Sequence, residues 1–507
     1  MKQKSYALLS VFDKTGITEL AKVLLNLNYE IISTGGTFKT LEEAGVKVIP
    51  IEEVTGNPRD SFDGRMKTVS FKIEGGILFD RSKVEHVKQA EELGVLPIDV
   101  VVCNLYPFEQ KPGIETIDVG GPTMIRSAAK NFKSCVVIVD PKDYGKFEDA
   151  VRSEEVRKEF AGKAFHHLSF YDAQIGKYLS AEKHPEEMAL PLRRKTILRY
   201  GENPHQQGAL YETPNTNSPM AKLEWRAGRE LSGTNVGDIF AGVEAVRLFS
   251  EPASVVIKHH TPCGVAIGKD ARESLDRAIE ADPVSAFGGI IVMNRKMDLE
   301  SAKVIGKFKG EFRGNMDIVA VPEIDKDALE FLKTLRKSMG IYTFGEIPAQ
   351  RSEKIDVKWF DGAAVIQDVD DGTEDSFKNW KVVTEVKPTE GQMKQLQFAW
   401  KITKAARSNS VVIVDPKLPM TRGIGTGQTS RVGACKIALE QAGKYAEGGF
   451  LASDSFFPFE DCVTLAAEHK IAAIVEQGGS INDQKSIDEA NKHGIPMVFT
   501  QRRAFRH

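Results

Sequence analysis

Along the first 140 residues, short apolar runs alternate with stretches of helical period: YALLSV at 6–11, ITELAKVLLNL at 17–27, YEIIST at 29–34, TFKTLEEAG at 37–45 and VKVIPI at 46–51. Short apolar runs bounded by turn residues read as buried strands, and the amphipathic segments between them as crossover helices. The rhythm therefore predicts βαβ units and a parallel sheet. Further strands are expected at GGILF (75–79), IDVVVCNL (98–105) and SCVVIVD (134–140). In such sheets ligands bind beyond the carboxyl ends of the strands, so the chemistry is sought in the loops that follow them.

Residues 143–190 read as charged, helical and connecting, and Pro185 and Pro191 bracket the passage into a second unit. The boundary is placed near residue 195, giving domains 1–195 and 196–507. Beyond it, Ser254-Val-Val-Ile is echoed by Ser410-Val-Val-Ile, each followed by a glycine-bearing loop and a helix-like stretch. Two α/β subdomains, about 200–355 and 385–507, are one reading. Buried strands drawing on few residue types are the other. Residues 345–385 are polar and weakly periodic, and read as an insertion or linker.

The 507 residues suit about three folding units, and 41% hydrophobic content supplies their cores. With 68 basic and 71 acidic side chains the net charge is −3, which argues against nucleic acid or an anionic membrane as partner. Any anion must be met locally. No apolar run approaches the roughly 18 residues of a membrane span, and strand pattern begins at Tyr6 without a signal-like segment, so a cytoplasmic location is expected. Cys103, Cys135, Cys263, Cys435 and Cys462 are far apart, with no Cys-x-x-Cys, and point to reduced thiols and no metal site.

Two clusters of small and hydroxyl residues precede predicted helices: Ser10 with Asp13-Lys14-Thr15-Gly16, and Ser33-Thr34-Gly35-Gly36-Thr37. Glycines admit a phosphate to the backbone, a helix N-terminus aims N–H groups at it, and Lys14 adds charge; turn and N-cap chemistry is the plainer alternative. Asp63-Gly-Arg65-Met-Lys67-Thr68 and Ile117-Asp118-Val-Gly120-Gly121-Pro-Thr123, with Arg126 and Lys130 beyond, carry ionisable groups at loop positions. Asp118 and Lys130 are about three helical turns apart and would meet only if the loop folded back over the helix. In the second domain, Ile257-Lys258-His259-His260-Thr261-Pro262-Cys263-Gly264 ends a strand. A histidine near neutral pKa beside a lysine suits proton movement at physiological pH. Gly423-Ile-Gly-Thr-Gly matches neither the dinucleotide nor the P-loop pattern.

SVFDKTGI, STGGT, DGRMKT, CNLYPF and IDVGGPTMIRSAAKN, in this order, resemble the IMP cyclohydrolase domain of the bifunctional purine-biosynthesis family. LRYGENPHQ, KHHTPCG, DPVSAFGG, RSNS, GIGTGQTSR and ASDSFFPF resemble its transformylase, which formylates aminoimidazole carboxamide ribotide (AICAR), and the likeness runs to Phe505-Arg506-His507. The resemblance implies an α/β chain: an N-terminal methylglyoxal-synthase-like parallel-sheet domain, then two cytidine-deaminase-like α/β subdomains without the deaminase zinc. It implies a homodimer, with 10-formyltetrahydrofolate as formyl donor, AICAR as acceptor, and closure of the formylated product FAICAR to IMP.

By that resemblance Ser10, Lys14, Ser33, Thr34, Gly36, Thr37, Arg65, Thr68, Asn104 and Gly120 hold the cyclohydrolase ribotide, and Lys67, Tyr106, Asp118 and Lys130 surround its reacting groups. In the transformylase Lys258 and His259 are the catalytic pair, assisted by Asn409 and His507. Arg199, Tyr200 and Arg431 grip the ribotide, while Phe456, Phe457 and Asp461 line the folate pocket. The chain departs from the family pattern at Phe12, where serine is usual, and at Val69-Ser70-Phe71, where Leu-His-Pro follows the Lys-Thr. Thr261, Gly233-Thr234 and Ala504 replace Asn, Tyr-Asn and His. An alternative reading is transformylase activity alone, the first domain being an impaired cyclohydrolase or a sensor of phosphate ligands.

Overall fold

The structure is a computed structural model and describes residues 4–58, 62–312, 314–370 and 374–507. The chain forms two compact units, 1–193 with 213–215, and 194–212 with 216–507.

In the first unit five parallel strands lie in the order Ile49–Pro50, Tyr29–Ser33, Ser5–Val11, Ile98–Asn104, Val136–Ile138. Ala7, Leu8 and Leu9 are successive and fully buried, as a parallel strand covered on both faces requires. GGILF is not a strand: its first four residues end the helix Phe71–Leu78, capped by Ser70 Oγ, which accepts from Lys72 N–H. A five-residue apolar run cannot tell a strand from a buried helix. Here Ile73 and Ile77, four apart, are the buried pair, and Gly76 lets the helix close on the Leu96 carbonyl. The helix Glu154–Leu179 contributes Phe160, Ala164, Leu168 and Tyr171 to the core, so the charged stretch is part of this unit as well as a connection.

The second unit contains two six-stranded sheets of one topology. The first runs Thr261–Ile267, Ala253–Lys258, Ile290–Met293, Ile318–Val321, Gly340–Thr343, Glu224–Ala227. The second runs Thr421–Gly425, Val411–Val414, Phe450–Ser453, Ala473–Glu476, Met497–Phe499, Lys381–Val382. Corresponding pairs share direction: antiparallel, antiparallel, parallel, parallel, antiparallel. The two SVVI runs thus occupy equivalent strands of a repeated fold. The edge strands meet through an antiparallel bridge, Ala266 to Met420, and Val265 N–H donates to Thr421 Oγ1 at 3.0 Å. One core, including Val255, Ile257, Trp400, Val412 and Val414, is common to both halves. Between the halves, Ile355–Phe360 and Ala363–Asp368 form a separate hairpin with Trp359 and Phe360 exposed.

Each edge strand carries a glycine pressed on a helix. A Cβ at Gly264 would overlap the carbonyl of Ala278, and one at Gly423 that of Ala438. Arg422 bonds Asp415 at 2.7 Å and Glu280 at 3.2 Å and lies 3.7 Å over the Tyr445 ring, joining one half to the other. At the end of Ala473–Glu476 the fully buried Glu476 carboxylate accepts from Phe457 N–H at 2.7 Å. Burial pushes its carboxyl from 4.5 up to about 8.

Gly264→Ala and Gly423→Ala should each lower stability in urea unfolding by about 1–3 kcal/mol through overpacking. Gly162→Ala, with open space mid-helix, should raise it by roughly 0.5–1 kcal/mol. For Glu476 the folded pKa lies above the unfolded one. Between pH 4.5 and about 8 only the unfolded chain releases this proton, so its contribution is full below that window and is lost as pH rises, by roughly 1 kcal/mol per pH unit. Stability profiles against pH should be flatter across that window in Glu476→Gln.

Candidate active sites

In the first unit the loop after Ser5–Val11 is fixed by its neighbours. Asn104 Oδ1 accepts from the N–H groups of Phe12 and Asp13 at 2.6 and 2.8 Å, and its Nδ2 donates to the Asp13 carbonyl at 3.0 Å. Thr37 Oγ1 accepts from Val11 N–H at 3.0 Å and donates to Val11 O at 2.9 Å; Ser33 Oγ donates to Leu9 O at 2.7 Å. Ser33, Thr34 and Thr37 are buried; the hydroxyl of Ser33 ties two strands together, and that of Thr37 ties the helix Gly35–Glu43 to the strand Ser5–Val11. Lys14 lies against Gly36, where a Cβ would be 3.6 Å from Nζ. Its ammonium and the first turn of the helix Gly35–Glu43 thus face one space, with Ser10 half-buried at the adjacent strand end. Free N–H groups and a positive charge there suit a phosphate.

A second helix start lies at Gly120–Lys130. Thr68 Oγ1 fills the place a Cβ of Gly120 would take, and Asp118 Oδ1 accepts from Gly121 N–H at 2.8 Å. Asp118 N–H donates to Tyr171 OH at 2.8 Å, and burial raises the Asp118 carboxyl. Lys67 folds over Gly64, Arg65 pairs with Glu115 at 2.8 Å in the open, and exposed Tyr106 meets Phe12 edge-on at 5.7 Å. The departure at Phe12 therefore touches the aromatic expected to act. Lys130 stands at the far end of the helix, about 15 Å of helical rise from Gly120, and the loop does not fold back to it. Expected to act with Asp118, it instead borders an open groove with Arg126, Phe132, Lys158 and Phe165.

In the second unit several of the residues expected to act lie near the start of the helix Gly233–Arg247, which opens on a Ser232/Asn235 capping box. Gly233 N–H donates to the carbonyls of Tyr200 and Gly201 at 3.0 and 2.8 Å, docking the loop in which Arg199 lies 4.7 Å over the Tyr200 ring. One turn along, the helix meets the hairpin of Ala253–Lys258 and Thr261–Ile267. Only His259 and His260 connect these strands, at φ +55° and +62°. That is the backbone of a type I′ turn, which asparagine and glycine usually supply. Asp238, 5% exposed, accepts from His260 N–H at 2.6 Å, and burial raises its carboxyl. Lys258 Nζ donates to Phe287 O at 2.9 Å, where the DPVSAFGG segment leaves a short helix capped by Asp282. The His259 side chain is exposed. Cys263 is partly buried, its thiol pushed up to about 12.

In the other half Asn409 Nδ2 donates to Gln428 O at 2.8 Å, and Gly427 N–H to Arg407 O at 2.8 Å. The chain's end returns to this loop: Ser408 N–H donates to Arg506 O at 2.9 Å, and Phe505 stacks edge-on with exposed His507. The glycines of GIGTG serve packing, since Gly423 and Gly425 both lie against the helix Arg431–Ala442. Arg431, expected to grip a ribotide, is buried and bonded to the buried Asp454. Phe457, expected to line a folate pocket, is fully enclosed in the core, because its backbone is drawn inward onto Glu476. Phe456 is half-buried. Asp461 lines an open groove of about 600 Å³ with Phe459, Lys436 and Lys485. Phe459, Phe287 and Asp238 had no place in the sequence assignment, although Phe459 is the third phenylalanine of FFPF.

Among the described residues no group of three or more His, Cys, Asp and Glu side chains could hold a metal, and no helix is long and apolar enough to cross a membrane. A family model described as AICARFT/IMPCHase bienzyme matches residues 128–441, and one for the MGS-like domain matches 16–133. The bifunctional purine biosynthesis protein PurH of Clostridium botulinum (strain Kyoto / Type A2) is 46% identical over 514 aligned residues, covering 99% of each chain. That of Persephonella marina is 42% identical over 524, again covering 99% of both. With full-length identity of this order and both domain families in sequence, the chain belongs to the AICARFT/IMPCHase bienzyme family, the bifunctional enzymes of purine biosynthesis that join AICAR formyltransferase to IMP cyclohydrolase.

Proposed function

We propose that the second unit transfers the formyl group of 10-formyltetrahydrofolate to the 5-amino group of AICAR, with Lys258 and His259 as the catalytic pair. The observation that carries this reading is the gathering of Arg199, Tyr200, Lys258 and His259 around one capped helix start. His259 takes the proton from the weakly nucleophilic amine as its nitrogen attacks the formyl carbon. Lys258 faces the oxyanion of the tetrahedral intermediate, which collapses by expelling the folate nitrogen. Arg199 and Tyr200 grip the ribotide phosphate. Asn409 and His507 act beside the substrate, Phe456 and Asp461 border the folate with Phe459, and Arg431 serves by ordering the strand ends through Asp454.

The first unit closes FAICAR to IMP. Lys14, Gly36 and the helix start at Gly35 bind the phosphate, with Ser10, Ser33, Thr34, Thr37, Arg65, Thr68, Asn104 and Gly120 shaping the ribotide site. Closure needs no covalent nucleophile: the carboxamide nitrogen attacks the neighbouring formyl carbon and water departs, so orientation and charge placement supply most of the rate. Lys67 and Tyr106 serve the oxyanion, and Asp118, its carboxyl raised by burial, moves the proton. Neither reaction calls on a metal. The enzyme works in the cytoplasm as a homodimer; active monomer alone in a dilution series by analytical ultracentrifugation would contradict the dimer.

His259→Ala should lower formyl transfer by about 10²–10⁴-fold and leave closure of supplied FAICAR intact. Lys67→Ala should do the reverse, slowing closure about 10²-fold with formyl transfer unchanged. Separate assays of the two reactions on the full chain check both, and equal loss of both activities in either variant would contradict the assignment.

A further inference from the structure

Two consecutive non-glycine residues at positive φ must be held from outside the turn, because the left-handed region crowds a Cβ. We infer that Asp238 and Gly237 form a cradle that positions the His259 turn for formyl transfer. The inference rests on the assignment of Lys258 and His259 as the catalytic pair.

The Asp238 carboxylate holds the turn at one point, Oδ1 accepting from His260 N–H at 2.6 Å; the same oxygen lies 3.9 Å from His260 Nε2, beyond hydrogen-bond reach. Among the described residues the other side-chain bond to the turn is that of the Thr261 hydroxyl to His259 O, at 3.5 Å, the outer limit of a hydrogen bond. Asp238 is buried on a regular helix, so its carboxylate is a fixed point from which a strained loop can be set. Gly237 supplies the seat. A Cβ there would overlap His260 Nε2 and lie 2.7 Å from Cε1, so the imidazole rests where alanine would project. Glycine inside a helix is costly relative to alanine, and at this position the ring gives it a purpose. Both are positioning residues: Asp238 acts through the backbone of His260 and Gly237 through its ring, each on the neighbouring His259.

The test uses the full-length enzyme with Asp238→Ala, Asp238→Asn, Gly237→Ala, Asp238→Ala combined with His260→Gly, and His259→Ala as reference. Asp238→Ala should lower the kcat of formyl transfer about 10²-fold, the scale of a displacement near 1 Å, while KM for AICAR changes less than about threefold. Asp238→Asn keeps an oxygen for the His260 N–H and should stay within about fivefold of the unaltered enzyme. His260→Gly, which takes up positive φ freely, should restore about tenfold of the loss in the Asp238→Ala background. Gly237→Ala should lower kcat about tenfold or more with Tm unchanged or raised, opposite in sign to a simple packing defect. Thermal unfolding and far-UV circular dichroism of each full-length variant report that the second unit, which carries all the substitutions, is folded.

Unaltered kcat in both Asp238→Ala and Gly237→Ala, with His259→Ala inactive, would overturn the cradle and leave the catalytic pair standing. So would a loss in Asp238→Ala that neither the asparagine nor the glycine change relieves. Undiminished formyl transfer in His259→Ala would instead overturn the assignment of the pair.

Discussion

The two segments assigned to the phosphate in the first unit, Ser10 to Gly16 and Ser33 to Thr37, each leave a buried strand and enter a helix, and at that junction backbone N–H groups must find acceptors or stay open for a ligand. The structure divides these groups with care. Asn104 takes the N–H groups of Phe12 and Asp13, and Thr37 takes that of Val11, while the first turn at Gly35 and Gly36 stays open beside Lys14. In the second unit Gly233 N–H goes to the Tyr200 loop and His260 N–H to Asp238. The satisfied groups set the loops and the open ones face the space where an anion belongs, so rigidity and binding come from one set of hydrogen bonds.

The repeated fold of the second unit puts one backbone frame to two uses. In the first copy the strand containing SVVI ends in the two-residue turn of His259 and His260. In the second the corresponding strand is followed by Asp415, which accepts from Lys417 and Leu418 N–H and bonds Arg422. That turn is spent on joining the halves. The loop at Asn409, expected to assist the chemistry, lies at the other end of the strand, laced to Gln428 and to the returning chain end. Equivalent glycines, Gly264 and Gly423, let a helix close on the edge strand in both copies.

Much of this was legible in the sequence because strong signals agreed. YALLSV, YEIIST and IDVVVCNL are strands, and the Ser33-to-Thr37 run and the Lys258–His259 pair sit at strand ends as their composition suggests. GGILF was misread because a short apolar run carries no period. Phe457 was misread because the motif does not say which of three phenylalanines turns inward; that choice is made by Glu476 on a distant strand. The separation of Asp118 from Lys130 follows from a helix that continues without a break. Asp238 was invisible because its function depends on a hairpin twenty residues later, and only the folded chain places a helical aspartate under that turn.

The central claim, that one chain carries both steps, is tested most directly by incubating the purified protein with AICAR and 10-formyltetrahydrofolate and resolving FAICAR from IMP by chromatography. The account predicts IMP formed faster than free FAICAR closes in buffer. Accumulation of FAICAR closing only at the uncatalysed rate would contradict a working cyclohydrolase, and unchanged substrates would contradict the account as a whole.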